Sequence, residues 1–268
     1  MRHPVGAHTY SWMWRAPVQP ALASLAGLGF DEFELMAMSG HLWPAEMDAA
    51  ARRELRDWAS GEGLVLRSIN HPGVDHNLCS PVPEMRAYTV AMYAGLIGLV
   101  ADLGCTNLIV LSGRVNPLLP APMARYREWA FEGIQQLLPL ARDRGVVLTV
   151  ENVPIGPVRT AADMADMIRR LDSPAVRACY DSANAHFIGE DLAAGVRLLA
   201  PLLDLVHLCD TPRDAWKHDA VGDGTVDFAA MLVAVREIGF ARKPLLELCV
   251  ADPEAGHRQS VRNLSGLI

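Results

Sequence analysis

Five segments of this chain end a helix-like stretch on glycine and restart at once as an apolar strand. They are "LAGLGFDEFEL", "ASGEGLVLRSI", "VADLGCTNLIVL", "ARDRGVVLTVE" and "VREIGFARKPLLEL", with the glycines at Gly29, Gly63, Gly104, Gly145 and Gly239. A glycine just past a helix takes the left-handed conformation that ends it. The stretches that follow are short, apolar and rich in β-branched residues, as in parallel strands covered on both faces. "VGAHTYSW" supplies a first strand, and "AVRACYD" and "LDLVHLCD" fit between Gly145 and Gly239. The expected strands therefore lie near residues 5–10, 32–36, 64–69, 107–111, 146–151, 176–181, 204–209 and 244–248. Between them "PAEMDAAARRELRDWAS" reads as a helix with Pro44 in its first turn, where a missing N–H costs nothing. "TAADMADMIRRL" reads as one capped by Thr160 with Asp163 three residues on. Eight βα units in 268 residues match an α/β fold, a single (β/α)8 TIM barrel of ~250 residues. An open doubly wound sheet would more often stop at five or six strands, and no G-x-G-x-x-G follows the first strand. No linker rich in Ser, Gly or Pro divides the chain, so one domain over residues 1–268 is expected.

Composition excludes several classes of function. Hydrophobic residues make up 51% of the chain, enough for a large core. The net charge of -7, without clustered Lys or Arg, argues against a nucleic-acid partner, which needs cations to neutralise phosphates. The longest uncharged run, Ala87 to Ala101, is shorter than the ~20 residues needed to span a bilayer. The N-terminal stretch has no apolar core of signal-peptide length, so no membrane partner is expected. Five cysteines without a CxxC pair fit reduced thiols and a cytoplasmic location. Three of them read as small buried hydrophobes inside strands. A homo-oligomer is compatible with all of this.

In a TIM barrel the chemistry sits at the C-terminal ends of the strands. Four successive apolar runs end in Glu151 ("VLTVENV"), Asp181 ("RACYDSANAH"), His207 ("LVHLCD") and Glu247 ("PLLELC"). One such residue alone is most often solvated, salt-bridged or bonded to the backbone. Three carboxylates brought to one barrel mouth repel unless a cation neutralises them. Two Glu, one Asp and one His suit one divalent ion, Mn²⁺, Mg²⁺ or Co²⁺, with Zn²⁺ also admitted.

The motifs "GFDEFEL", "ENVPIG", "YDSANAHFIGED", "VHLCDTPRDAWKH", "GDGTVDF" and "LLEL" occur in an order that resembles the xylose-isomerase-like TIM-barrel superfamily of sugar isomerases and epimerases. The resemblance covers nearly the whole chain. It implies that Glu151, Asp181, His207 and Glu247 hold one metal ion, and that Glu151 and Glu247 form the acid/base pair. It places Arg213, six residues after His207, on substrate oxygens. The chain departs from the ketose 3-epimerase pattern at two positions. Asn184 stands where that pattern has a substrate-binding His, the nearest being His186, and Pro157 stands where it has a further Glu. The related endonuclease IV branch needs extra His ligands, and its Asp-x-x-His step is absent here.

Other candidates come from the loops. His71 follows the third strand and is placed to reach substrate, whereas His76 in the same loop reads as a surface residue. Glu34 would bind a sugar hydroxyl or pair with a nearby cation. Lys217 and His218 would bind a hydroxyl, carboxylate or phosphate, or form a solvated loop. Gly222 and Gly224 would let backbone approach substrate, and Trp12 or Trp14 would wall the pocket or simply pack. The expected function is a metal-dependent isomerase or epimerase of a small carbohydrate, moving a proton next to a carbonyl through an enediolate. A lyase or dehydratase acting on a keto-sugar or keto-inositol and a non-catalytic sugar-binding barrel are the alternatives.

Overall fold

The computed structural model describes residues 2–73, 75–118 and 120–267. Eight parallel strands close into a barrel in sequence order. They are β1 (Gly6–His8), β2 (Glu32–Met36), β3 (Val65–Asn70), β4 (Asn107–Leu111), β5 (Val147–Glu151), β6 (Val176–Asp181), β7 (Leu203–Leu208) and β8 (Leu245–Leu246). Closure is made by β1 on β8, with Gly6 opposite Leu245 and Ala7 opposite Leu246. The (β/α)8 expectation holds, and each strand falls close to its expected place.

The connecting helices are α1 (Val18–Gly27), α2 (Ala49–Gly61), α3 (Pro83–Leu103), α4 (Met123–Asp143), α5 (Ala161–Leu171), α6 (Ser182–Phe187), α7 (Leu192–Leu199), α8 (Phe228–Glu237) and α9 (Pro253–Leu264). The five helix-ending glycines all take positive φ, from +66° at Gly145 to +100° at Gly29. Thr160 and Asp163 form the reciprocal capping box at the start of α5. The helix expected from Pro44 starts later. Pro44–Glu46 is a separate 3-10 turn, and α2 begins after Asp48, whose carboxylate accepts the Ala51 N–H. The aspartate offers a side-chain cap that the proline ring does not have. All five cysteines are free, with four buried and Cys249 exposed. Only Cys179 lies within a strand, because β7 and β8 stop short of Cys209 and Cys249. Among the described residues no helix is long and apolar enough to cross a membrane.

Side chains alternate across each strand. One set packs under the helices in the main core, with Phe33, Leu35, Leu108, Val150 and Val206 almost wholly buried. The other set faces the barrel axis, where Ile109, Cys179, Leu205 and Leu245 form a small apolar plug. Two residues beyond three members of that plug come Asp181, His207 and Glu247, so the same alternation raises them to the barrel mouth. Two register shifts tune this layer. On β3 an extra residue, Arg67, lets Phe33 face Leu66 while Glu34 faces Ser68. On β7 the extra residue is Asp204, and the shift brings His207 opposite Asp181. Such bulges re-aim side chains near functional sites.

Candidate active site

Glu151, Asp181, His207 and Glu247 meet at the mouth, each offering one ligand atom, all within 4.8 Å of one another. His207 Nδ1 lies 2.9 Å from Glu247 Oε2, 3.4 Å from Glu151 Oε1 and 4.0 Å from Asp181 Oδ2. His207 and Asp181 are completely buried, and the two glutamates almost so. His207 Nδ1 and Glu247 Oε2 are enclosed without a hydrogen-bond partner. A lone pair and carboxylate oxygens converging on one enclosed point suit a divalent cation.

Each ligand is held from behind. Asp181 ends β6 and caps α6, so its Oδ1 accepts the Asn184 N–H at 2.6 Å, while Cys209 Sγ donates to Oδ2 at 3.0 Å. Asn152 braces the Asp181 backbone on both sides, accepting its N–H at 2.8 Å and donating to its carbonyl at 3.1 Å. Asn70 Nδ2 donates to Glu247 Oε1 at 2.9 Å, which leaves Oε2 facing His207. Asn184 Nδ2 donates to Glu151 Oε1 at 3.4 Å, and Asn184 Oδ1 accepts the indole N–H of Trp216.

The two glutamates are driven apart in proton affinity. Burial and then the neighbouring charge of Glu247 push the Glu151 carboxyl up to about 8. Burial acts on Glu247 in the same direction, but the charge and hydrogen bond of His207 outweigh it and hold Glu247 at about 2. Burial likewise opposes charge on His207, yet the acidic groups around it, Glu247 and Glu34 among them, hold its proton affinity well above the usual histidine range. A pair of carboxyls separated in this way is what acid/base work requires.

A cavity of about 110 Å³ opens over these residues, lined by Glu151, Glu247, Asn70, His71, Asn184 and His218 together with Tyr10, Trp216, Arg114 and apolar residues such as Leu111 and Ile155. His76 is half-buried and also lines this cavity, edge-on to His71 at 4.6 Å and stacked on Tyr88. His218 Nε2 comes within 3.8 Å of Asp181 Oδ2 and 3.7 Å of Glu247 Oε2.

Four proposed substrate contacts do not line the cavity. Glu34 lies one layer deeper, fully buried, with Oε1 at 3.1 Å from both His8 Nε2 and His207 Nε2. His186 Nε2 is engaged by Thr225 Oγ1 at 2.8 Å. Arg213 is exposed and packs by Gly189, where a Cβ would stand 3.2 Å from its guanidinium. Lys217 is exposed and pairs with Asp219 at 3.5 Å. The cause is the fold of the loop after β7. Asp210 and Asp219 exchange backbone hydrogen bonds of 2.9 and 2.8 Å, and the returning arm carries His218, not Arg213, over the site. Gly222 and Gly224 serve the same turn rather than substrate. The Gly222 N–H donates to Asp210, and a Cβ on Gly224 would meet Asp210 Oδ1 at 2.3 Å. Trp12 packs on His257 and Trp14 is solvent-exposed, so neither walls the cavity. Sequence reasoning missed Tyr10, Asn70 and Trp216. The "SIN" end of β3, with a polar residue closing an apolar run, carried the one available signal for Asn70.

Comparison with known proteins agrees with this fold. D-psicose 3-epimerase of Agrobacterium fabrum is 23% identical over 256 residues, spanning 92% of this chain and 84% of that protein. The solved structure of an L-ribulose 3-epimerase superposes with a TM-score of 0.84 at 22% identity, covering 100% of this chain and 94% of that one. The crystal structure of IOLI protein with a bound zinc atom superposes with a TM-score of 0.83 at 16% identity, covering 97% of this chain and 96% of that one. A sequence model described as "Xylose isomerase-like TIM barrel" matches residues 22–267, and the chain belongs to that family.

Proposed function

We propose that the protein is a divalent-metal-dependent epimerase or isomerase of a small keto-sugar, working by proton transfer at the carbon next to the carbonyl. The observation that carries this reading is the pair Glu151 and Glu247. They are buried at one cavity floor, share a cluster with Asp181 and His207, and are pushed to opposite proton affinities. Relatives named as D-psicose and L-ribulose 3-epimerases support a ketose as substrate class.

Glu151, Asp181, His207 and Glu247 would hold the ion, which when bound supplies an electrophile that polarises the substrate carbonyl. Glu247 would take the proton, and Glu151 would deliver one to the other face of the resulting enediolate, which inverts the carbon. Asn70 and Asn184 keep the two carboxyls oriented, and Trp216 and Tyr10 shield the site from water. Asn184 stands where the ketose 3-epimerase pattern has an imidazole, and its amide is engaged by Glu151 and Trp216.

A second reading rests on His218. A further imidazole over the floor offers an acid for a leaving group, and elimination from a keto-sugar or keto-inositol would use the same enediolate. One experiment separates the two. Turnover of ketohexoses and ketopentoses with Mn²⁺ in D₂O should give an epimer or isomer carrying deuterium on the reacting carbon. A product lacking one water or one aglycone assigns the lyase. Binding without any exchange or product rejects both.

A further inference from the structure

Glu34 is buried completely yet does not face the cavity. Its Oε1 lies 3.1 Å from His8 Nε2 on β1 and 3.1 Å from His207 Nε2 on β7, and its Oε2 accepts the hydroxyl of Ser68 on β3. The contacts to the two imidazoles are bent rather than collinear, and none of these three atoms meets hydrogen-bond geometry with any partner. Register places the partners. His8 is opposite Glu34 across β1 and β2, and the bulge at Arg67 turns Ser68 to face it from β3.

The proton on His8 can be assigned from its surroundings. His8 Nδ1 accepts the Tyr10 backbone N–H at 2.8 Å, so Nδ1 carries a lone pair and the ring's single N–H is at Nε2. A small turn of the ring would aim that N–H at Glu34 Oε1, 3.1 Å away. The carboxylate would then have one donor from His8 and one from Ser68, with His207 Nε2 also 3.1 Å from Oε1. A carboxylate only accepts, so His207 must carry its proton at Nε2 when it holds a cation. Its Nδ1 lone pair then faces Glu247, Glu151 and Asp181.

We propose that Glu34, fixed by His8 and Ser68, is a positioning residue that selects the Nε2–H form of His207 and aims its Nδ1 at the bound cation. The inference rests on the metal reading given under Proposed function. Imidazoles that ligate metals commonly donate their other N–H to a carboxylate, and loss of that partner typically costs 10- to 100-fold in metal affinity. Here the arrangement spans four strands, β1, β2, β3 and β7, and β7 meets the other three only when the barrel closes through β8, so metal affinity is tied to that closure.

The test uses full-length protein and Zn²⁺ in competition with a chromophoric chelator. Glu34→Leu keeps bulk but removes the acceptor and should weaken Zn²⁺ binding roughly 10- to 100-fold. Glu34→Gln retains a carbonyl oxygen and should lose less, and His8→Phe, which leaves the carboxylate in place, should also lose less. Metal-free melting curves identify any variant that fails to fold. Long-range ¹H–¹⁵N spectra of the Zn²⁺-loaded wild type give an independent readout, expected to show His207 metallated at Nδ1 and protonated at Nε2. Zn²⁺ affinity of folded Glu34→Leu within twofold of wild type, or metallation at Nε2, overturns the proposal while leaving the metal site intact. A wild type that binds no Zn²⁺ overturns the metal reading and this inference with it.

Discussion

The indole Nε1–H of Trp216 donates to Asn184 Oδ1 at 2.6 Å, and the same amide turns its Nδ2 to Glu151 Oε1 at 3.4 Å. A half-exposed residue of the loop after β7 thereby fixes an amide on α6 and, through it, a carboxyl on β5. Trp216→Phe keeps the stack on Phe187 but frees the amide to turn. Loss of one such hydrogen bond, about 1 kcal/mol, should lower kcat/KM roughly fivefold, with metal content unchanged. Kinetics equal to wild type would show that Asn184 needs no such anchor.

Removing the metal should cost stability as well as activity. An ion that binds only the folded chain contributes about 2.7 kcal/mol when its concentration is 100 times Kd. For a chain of this size that is roughly 5–10 °C in Tm. Calorimetry with and without EDTA measures the shift. It should vanish in a variant lacking both Asp181 and His207, because the remaining donors no longer converge.

The barrel was legible because its signals are local. Each helix-ending glycine and each apolar run can be read within about a dozen residues, and a charged residue closing such a run marks the mouth. The pairing of His8 and Glu34 with His207 was not legible. It depends on barrel closure and on bulges at Arg67 and Asp204, which no local pattern announces. Arg213 was misplaced for a related reason. Distance along a loop does not fix direction, and the Asp210–Asp219 bridge carries His218 back over the site instead. Asn184 stood out from the sequence as a departure from a pattern, but its bond to Trp216 required the loop's folded path.

Acid should destabilise the protein through histidines buried neutral. Burial pulls His257 down to about 4, although the Pro253 carbonyl bonded to its Nδ1 at 2.7 Å acts in the opposite direction. In the unfolded chain a histidine titrates near 6.5. Between those values the unfolded state binds the extra proton, so stability is fully present above about pH 6.5 and falls as pH drops toward 4. The slope from one such residue is about 1.4 kcal/mol per pH unit. His257→Gln can still donate to the Pro253 carbonyl and does not titrate. Urea unfolding at several pH values should show a shallower loss for the variant, and parallel curves for the two proteins would refute the assignment.

The two glutamates should fail in different ways when each becomes glutamine. Either change keeps an oxygen for the metal but removes proton transfer, and either should lower turnover at least ~100-fold. In the proposed scheme Glu247 removes the proton and Glu151 returns one. Starting from the epimer whose hydrogen faces Glu247, Glu151→Gln in D₂O should still let deuterium enter recovered substrate, since removal and return can occur on one face. Glu247→Gln should block exchange altogether from that epimer. Starting from the other epimer the roles reverse by microscopic reversibility. Metal content must be measured beside the kinetics, because a variant that has lost the ion would be inactive for another reason. With metal retained, equal exchange in both variants from one epimer would show that neither glutamate is the obligatory base and would remove the two-sided scheme. Exchange lost in the same variant from both epimers would instead leave a single-base reaction, the pattern an elimination with His218 as acid would give.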